Sequence, residues 1–575
     1  MVFRLTRRSF LLASAATVGA TRVASPPRAL AAALADDNPG HASSTDATYY
    51  NDASQNAADP YVLYDTASGY YYAYSTSGAG PGYYLGVYQS ADLATWEKVP
   101  GGALPVNDPK QWGHDWFWAP EVYYNDKTGL YYLFYAAREN THVAEDFGYA
   151  NFAEASRIGV AVSSKPSGPF YNISDRPIDY HPYDPDYHDV NLIMDASQMK
   201  PPATKAEGET APLGTYLPSI DPNVFFDDDG RIYLYYSRNA YRNWVWDDDF
   251  GKYVEESNIY AVELNTNWWS DPAGTQMPTI TSAYRGANAS PGGPDGPRRD
   301  GFVRIVDYDH DKQTWENAHV NDYATTGGQK KDRRWAEGST IIKRYVHHEG
   351  DGRKKPIYYL TYSANNFESP DYGVGYATAT SPLGSWKKFS GNPILAQDPS
   401  LPMYSTGHGG VAWSPDGAES FYVHHGRKSM TGERKLYTER LRLDGAPDGR
   451  GNPTLSVDQA TSNRPVPDGV GPYDLSVART PAGHGSVRLR WTVRSSPGAA
   501  LALANPLNRV RVTLDRPGTV NLDADGAGAT VTFVDAGRAT LTYQRQRADG
   551  SYVDVHNLSG RRRAQPVSVA VTVAR

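Results

Sequence analysis

The sequence predicts an all-β protein, a five-bladed β-propeller followed by a C-terminal β-sandwich. Composition is the first reason: aromatics make up 12% of the 575 residues and include 43 tyrosines, while 53 glycines and 41 prolines supply turns. That balance suits many short strands joined tightly. The second reason is a strand-turn-strand plan that recurs five times, and the third is a change of pattern after about residue 460. A chain of this length also exceeds one ordinary core, so two domains are expected.

The N-terminal segment "RLTRRSFLLASAATVGA" sets Arg7 and Arg8 before an apolar run that ends ahead of Arg22, with small-residue sites at Ala29-Leu30-Ala31 and Ala33-Leu34-Ala35. It resembles a twin-arginine export signal covering residues 1–35, and the run is too short to span a membrane. Export to the extracellular space, as a monomer, is the expectation. These residues carry five arginines and no acid, so their removal takes the net charge from −8 to −13. An acidic chain of that kind is a poor partner for nucleic acid or an anionic membrane. The absence of cysteine excludes disulfides, thiolate zinc sites and a cysteine nucleophile.

The propeller is expected over residues 46–460. Its five repeats open with "ADPYVLYDTASGYYYAYSTS" from Ala58, "APEVYYNDKTGLYYLFYAA" from Ala119, "IDPNVFFDDDGRIYLYYSR" from Ile220, "EGSTIIKRYVHHEGDGRKKPIYYLTYS" from Glu337 and "GHGGVAWSPDGAESFYVHHGR" from Gly407. A third strand follows each, usually closed by Trp or Phe. Such a unit cannot bury both faces alone and gains a core by stacking around an axis. Asp227, Asp228, Asp229 and Gly230 occupy the hairpin turn of the third repeat, where they serve the backbone. Asp221 stands apart, because it precedes the first strand of its blade. Asp59, Glu337 and His408 hold corresponding slots, and inner strands that begin around one axis bring such slots to one mouth. Convergent carboxylates shift one another's pKa values and are costly without a use.

In their order, "ADPYV", "WAPEV", "IDPNVFFDDDG", "EGST" and "GHGGVAWSPDG" resemble glycoside hydrolase family 43, the five-bladed propeller arabinosidases and xylosidases, over roughly residues 50–440. The resemblance implies that Asp59 is a general base, Glu337 a general acid and Asp221 the residue that tunes the acid. Inverting cleavage needs a base and an acid about 6.5–9.5 Å apart on opposite sides of the anomeric carbon. The resemblance also implies one structural calcium or sodium ion in the channel, held in part by His408, although one imidazole cannot define a hard-cation site.

Other candidates are substrate contacts. "QWGHDWFWAPE" offers Asp115, Trp116 and Trp118 for a sugar face, with Phe117 and Trp118 also open to a packing role. His425 and Arg427 in "YVHHGR" are further candidates. Insertions at 171–217 and 240–335, the latter holding Trp244, Trp246, Trp268 and Trp269, are expected to build the cleft rim and favour a blocked, exo-type pocket. Residues 462–472 read as a linker, and 472–575 as a β-sandwich accessory domain.

The expected activity is that of a secreted, exo-acting α-L-arabinofuranosidase on plant-type or cell-wall-type polysaccharide. Alternatives are a β-xylosidase, endo-arabinanase or galactofuranosidase of the same fold. A non-catalytic, sugar-binding propeller is the rival from another class.

Overall fold

The computed structural model describes residues 55–573, apart from short internal stretches and the longer ones 179–191, 194–200, 209–217, 282–302 and 459–472. The arginine-led segment at 1–35, the Gly- and Pro-rich piece from Tyr284 to Gly301 and the linker at 462–472 lie outside the described residues. Among the described residues no helix is long and apolar enough to cross a membrane.

Five antiparallel blades of four strands follow one another in the chain. Their inner strands are Tyr61–Asp65, Gly113–Asn125, Ser219–Phe226, Arg333–His347 and Tyr404–Trp413. Each pairs with a Tyr-rich second strand, as Tyr61 does with Tyr74 and Val224 with Leu234. Five apolar clusters fill the five gaps between adjacent blades. Leu63 and Tyr72 meet Leu133 and Tyr135 between blades one and two, and Phe134 and Ile158 meet Leu234 and Val262 between two and three. Tyr235 meets Leu360, Tyr359 meets Tyr422, and Phe421 meets Val62 across the remaining three. The last gap closes the ring. There the Ala57 N–H donates to Arg434 O at 3.1 Å and the Leu436 N–H to Gln55 O at 3.2 Å, so the chain's early residues extend blade five.

The Asp227 turn is a hairpin turn, as its residues suggest, with Gly230 at φ +91° and the Asp227 N–H bonded to Arg231 O at 2.9 Å. Its carboxylate reaches further, accepting the Tyr358 hydroxyl at 2.7 Å and pairing with Lys343, so it also ties blade three to blade four.

The insertion at 240–335 behaves differently from the expected rim. Val303–Val306 is the outer strand of blade three, and Glu255–Ser257 pair in parallel with Arg333–Trp335 of blade four. Trp268 is fully buried between blades two and three against Tyr132 and Phe134, and Trp244 is buried beside Tyr253. Trp268 is thus a packing residue of an inter-blade gap, and Trp244 packs with Tyr253 and Trp246 in a small cluster outside the five gaps.

After residue 472, Tyr473–Pro481, Ser486–Ser495, Gly528–Phe533 and Gly518–Leu522 form one sheet, and Asn508–Leu514, Gly537–Gln546, Tyr552–Asp554 and Ser568–Val573 another. Leu489, Trp491 and Val531 of the first face Leu541, Tyr543 and Val571 of the second across one core, which makes a β-sandwich.

Candidate active site

The mouth of the propeller is organised by one repeated backbone irregularity. Asp59, Ala119, Asp221, Gly338 and His408 occupy the same position in blades one to five, and all have left-handed φ values of +49°, +46°, +55°, +60° and +43°. In blades two to five a register shift brackets the position. Such a bulge re-aims a side chain, and its cost for a residue with a Cβ is about 1–3 kcal/mol. In the first three blades the next residue is Pro60, Pro120 or Pro222, which brings no N–H to the point where pairing is broken.

The preceding blade takes the exposed N–H of four of these residues. Ala119 donates to Thr76 Oγ1 at 2.9 Å, Gly338 to Asp221 Oδ2 at 3.1 Å, His408 to Ser363 Oγ at 2.7 Å and Asp59 to His425 Nδ1 at 3.2 Å. Glu337 therefore stands one residue before the slot, and Gly338 fills it. That corrects the alignment expected from the sequence, in which Glu337 itself shared the register of Asp59 and Asp221.

Asp59, Asp221, Glu121, Gly338 and His408 line one small cavity at this mouth. Asp59 is buried, and burial alone would raise its pKa. Arg434, whose Nη1 lies 2.8 Å from Oδ1, outweighs that together with His408, and the carboxyl is held well below the usual carboxylate range. The Thr76 hydroxyl donates to its other oxygen at 2.7 Å. Glu337 shows the opposite displacement. Burial, then the Asp221 charge, push its pKa up to about 8, against a 2.7 Å hydrogen bond from Tyr372. Asp221 is itself raised, chiefly by burial and then by Asp59, while His408, the Gly338 N–H and the Ser237 hydroxyl pull the other way.

Sequence reasoning missed four members of this cluster. Arg434 lies on the third strand of blade five and stacks on Phe367 at 4.4 Å. Thr76 follows the second strand of blade one, and Tyr372 precedes the third strand of blade four. Glu121 lies at the cavity with its carboxyl raised to about 8, mainly by burial, while accepting from Tyr123 and from Asn223 at 2.9 Å. Only Glu121 had a local signal, as the acid beside the blade-two slot; the others come from strands that no slot alignment includes.

The remaining sequence candidates fall in two places. Trp116 and Trp118 are half-buried and stacked at 5.0 Å, with Arg138 4.1 Å above Trp116 and bonded to Asp115 at 2.7 Å. Phe117 packs instead on Tyr84 at 3.7 Å. His425 is fully buried behind Asp59 and does not line the cavity. Arg427 sits opposite Arg434 on the paired strand and donates to Gly432 O.

His408 was expected to share an ion. Its Nδ1 faces Asp59 at 3.3 Å and Asp221 at 4.0 Å. Among the described residues no three His, Asp or Glu side chains form a group able to hold a metal. A calcium-like cation asks for six to eight oxygens, so an ion beside His408 would take most of its ligands from water, and no step below passes through an ion.

Comparison with known proteins fits this geometry. The profile of "Glycosyl hydrolases family 43" matches residues 53–198 and 299–446, just over half of the chain. The chain belongs to glycosyl hydrolase family 43. The matched segments include Asp59, Glu337, His408 and Arg434 but not Asp221, which joins the set through its backbone slot and its place in the cavity lining. Among similar curated proteins, the Humicola insolens "Xylosidase/arabinosidase 43A" is 30% identical over 172 residues, 30% of this chain and 33% of that protein. The Aspergillus niger "Beta-D-galactofuranosidase xynD" is 23% identical over 351 residues, 60% of this chain and 66% of that protein. This family-43 chain thus spans a third to just under two thirds of those relatives. A crystal structure of a thermostable family-43 glycoside hydrolase is similar at 28% identity and TM-score 0.48, covering 73% of this chain and 98% of that one.

Proposed function

We propose that this chain is an exported, inverting, exo-acting α-L-arabinofuranosidase with Asp59 as general base, Glu337 as general acid and Asp221 as the residue that tunes the acid. One observation carries the assignment of roles: two buried carboxyls at one mouth are driven in opposite directions, Asp59 toward the anion and Glu337 toward the acid. Pairs pushed apart by their surroundings divide the work of acid and base. Asp59 takes a proton from water as that water attacks the anomeric carbon. Glu337 gives its proton to the departing glycosidic oxygen, so charge builds on neither the nucleophile nor the leaving alcohol.

The xylosidase/arabinosidase and galactofuranosidase names of the relatives support a plant-type or cell-wall-type glycan as substrate. The Trp116–Trp118 pair supplies a flat apolar face beside the Asp115–Arg138 pair, the kind of wall on which a sugar stacks.

The deciding experiment compares release from p-nitrophenyl α-L-arabinofuranoside, β-D-xyloside and β-D-galactofuranoside, with the anomer of the fresh product followed by NMR. Fastest release of arabinose, with inverted configuration, is the expected result. Retention of configuration rejects the assignment of roles, and no turnover on any glycoside leaves a sugar-binding propeller.

A further inference from the structure

A buried aromatic pair spans the acid and the base. Tyr372 lies at the end of the connection between the second and third strands of blade four, and none of it is exposed. Its hydroxyl donates to Glu337 Oε1 at 2.7 Å. Its ring lies almost parallel to the His425 ring, 12° apart with centroids 5.6 Å apart. His425 in turn accepts the Asp59 N–H at Nδ1. The two side chains therefore form a continuous bridge from the acid of blade four to the base of blade one, through blade five.

The surroundings hold that bridge in place. Asn365, at φ +74°, donates from Nδ2 to Trp315 O at 2.8 Å and Asp371 O at 2.9 Å, which pins the connection just before Tyr372. Gly407 has no side chain where the ring passes: a Cβ there would lie 2.2 Å from Tyr372 Cε1. The backbone at Gly407 is not left-handed, so room for the ring, and not conformation, is what this glycine provides.

We infer that Tyr372, shelved on His425, is a positioning residue that fixes which oxygen of Glu337 carries the acid proton and how far the acid stands from the base. The inference rests on the assignment of Glu337 as general acid. A phenol has one hydrogen, and Tyr372, whose own pKa lies well above 10 through burial and then the nearby Glu337, keeps it. Because that hydrogen points at Oε1, the proton of neutral Glu337 belongs on Oε2, the oxygen left to serve the leaving group. The charged groups that act on Glu337 from other blades are Asp221 of blade three, Asp59 of blade one and Arg434 of blade five.

Tyr372→Phe tests this in the full-length protein. Loss of the donor removes a stabiliser of ionised Glu337, so the alkaline limb of kcat/KM moves to higher pH. Turnover of arabino-oligosaccharides, whose leaving alcohols need a proton, falls by about tenfold or more, while p-nitrophenyl arabinofuranoside, with its good leaving group, changes by less than about threefold. Gly407→Ala, which pushes the ring aside without touching either carboxyl, should reproduce both signatures and decides the matter if the first variant does not fold. An unmoved alkaline limb with equal losses on both substrates overturns the inference and leaves Tyr372 a packing residue. If Glu337→Gln turns over oligosaccharides as fast as wild type, the acid assignment itself fails and takes this inference with it; if Glu337→Gln is inactive but Tyr372→Phe is indistinguishable from wild type, only the positioning role falls.

Discussion

Asp59 and Glu337 are both carboxyl groups desolvated at one mouth, yet their charged neighbours drive them apart. Arg434 lies 2.8 Å from Asp59, and Glu337 has Asp221 as its stronger charged neighbour. The proposed roles need Asp59 ionised and Glu337 protonated, so kcat/KM should rise with pH as Asp59 loses its proton, below the usual carboxylate range, and fall again near pH 8 as Glu337 ionises. A pH profile with a limb on the alkaline side well under neutrality contradicts the acid assignment. Replacing Glu337 with Gln keeps the shape and removes the transferable proton; turnover on oligosaccharides should drop by about 10²–10⁴-fold, and less on aryl glycosides. At this scale the sequence named the three carboxyls through their places in the repeats. It gave no sign of Arg434, Thr76 or Tyr372, because each reaches its carboxyl only through the folded chain, Thr76 and Tyr372 within their own blades and Arg434 from blade five across more than 300 residues.

The inner strand is the element that delivers chemistry, and its left-handed position is the working part. Gly338 is the one slot without a Cβ, and a Cβ there would lie 2.8 Å from the His408 ring. Gly338→Ala meets that ring and also pays for φ +60°, so a loss of about 1–3 kcal/mol in urea unfolding, with reduced turnover, is expected. A second element, the parallel pairing of Lys252–Leu264 with the start of the blade-four inner strand, is locked by Arg334. Its guanidinium reaches Asp247 at 2.7 Å and Glu256 at 3.1 Å, all three side chains buried. Arg334→Ala strands two buried acids and should cost about 3–5 kcal/mol in the same assay. Hairpin turns such as Asp227–Gly230 were legible because Asp and Gly act locally. The slot register of Glu337 was not, since a one-residue bulge leaves the apolar pattern of the strand intact.

The whole molecule divides its stability among separate cores. Five clusters lie between blades and a sixth inside the sandwich, where Leu541 is fully buried. Leu541→Ala should lower sandwich stability by about 2–5 kcal/mol, seen as an earlier unfolding transition, while kcat on p-nitrophenyl arabinofuranoside is unchanged. A parallel loss of turnover would mean that the sandwich supports the catalytic mouth.

The sequence by itself determined five repeats, the turn chemistry, the sandwich pattern and the identity of Asp59, Asp221 and Glu337, because strand alternation, turn residues and repeat register are written locally along the chain. Tertiary structure alone decided that Asp59 and Glu337 are displaced in opposite directions, that Trp244 and Trp268 are buried, and that Tyr372 and His425 lie between those two carboxyls. Those outcomes depend on desolvation and on distances between distant segments, and such quantities exist only once the ring has closed.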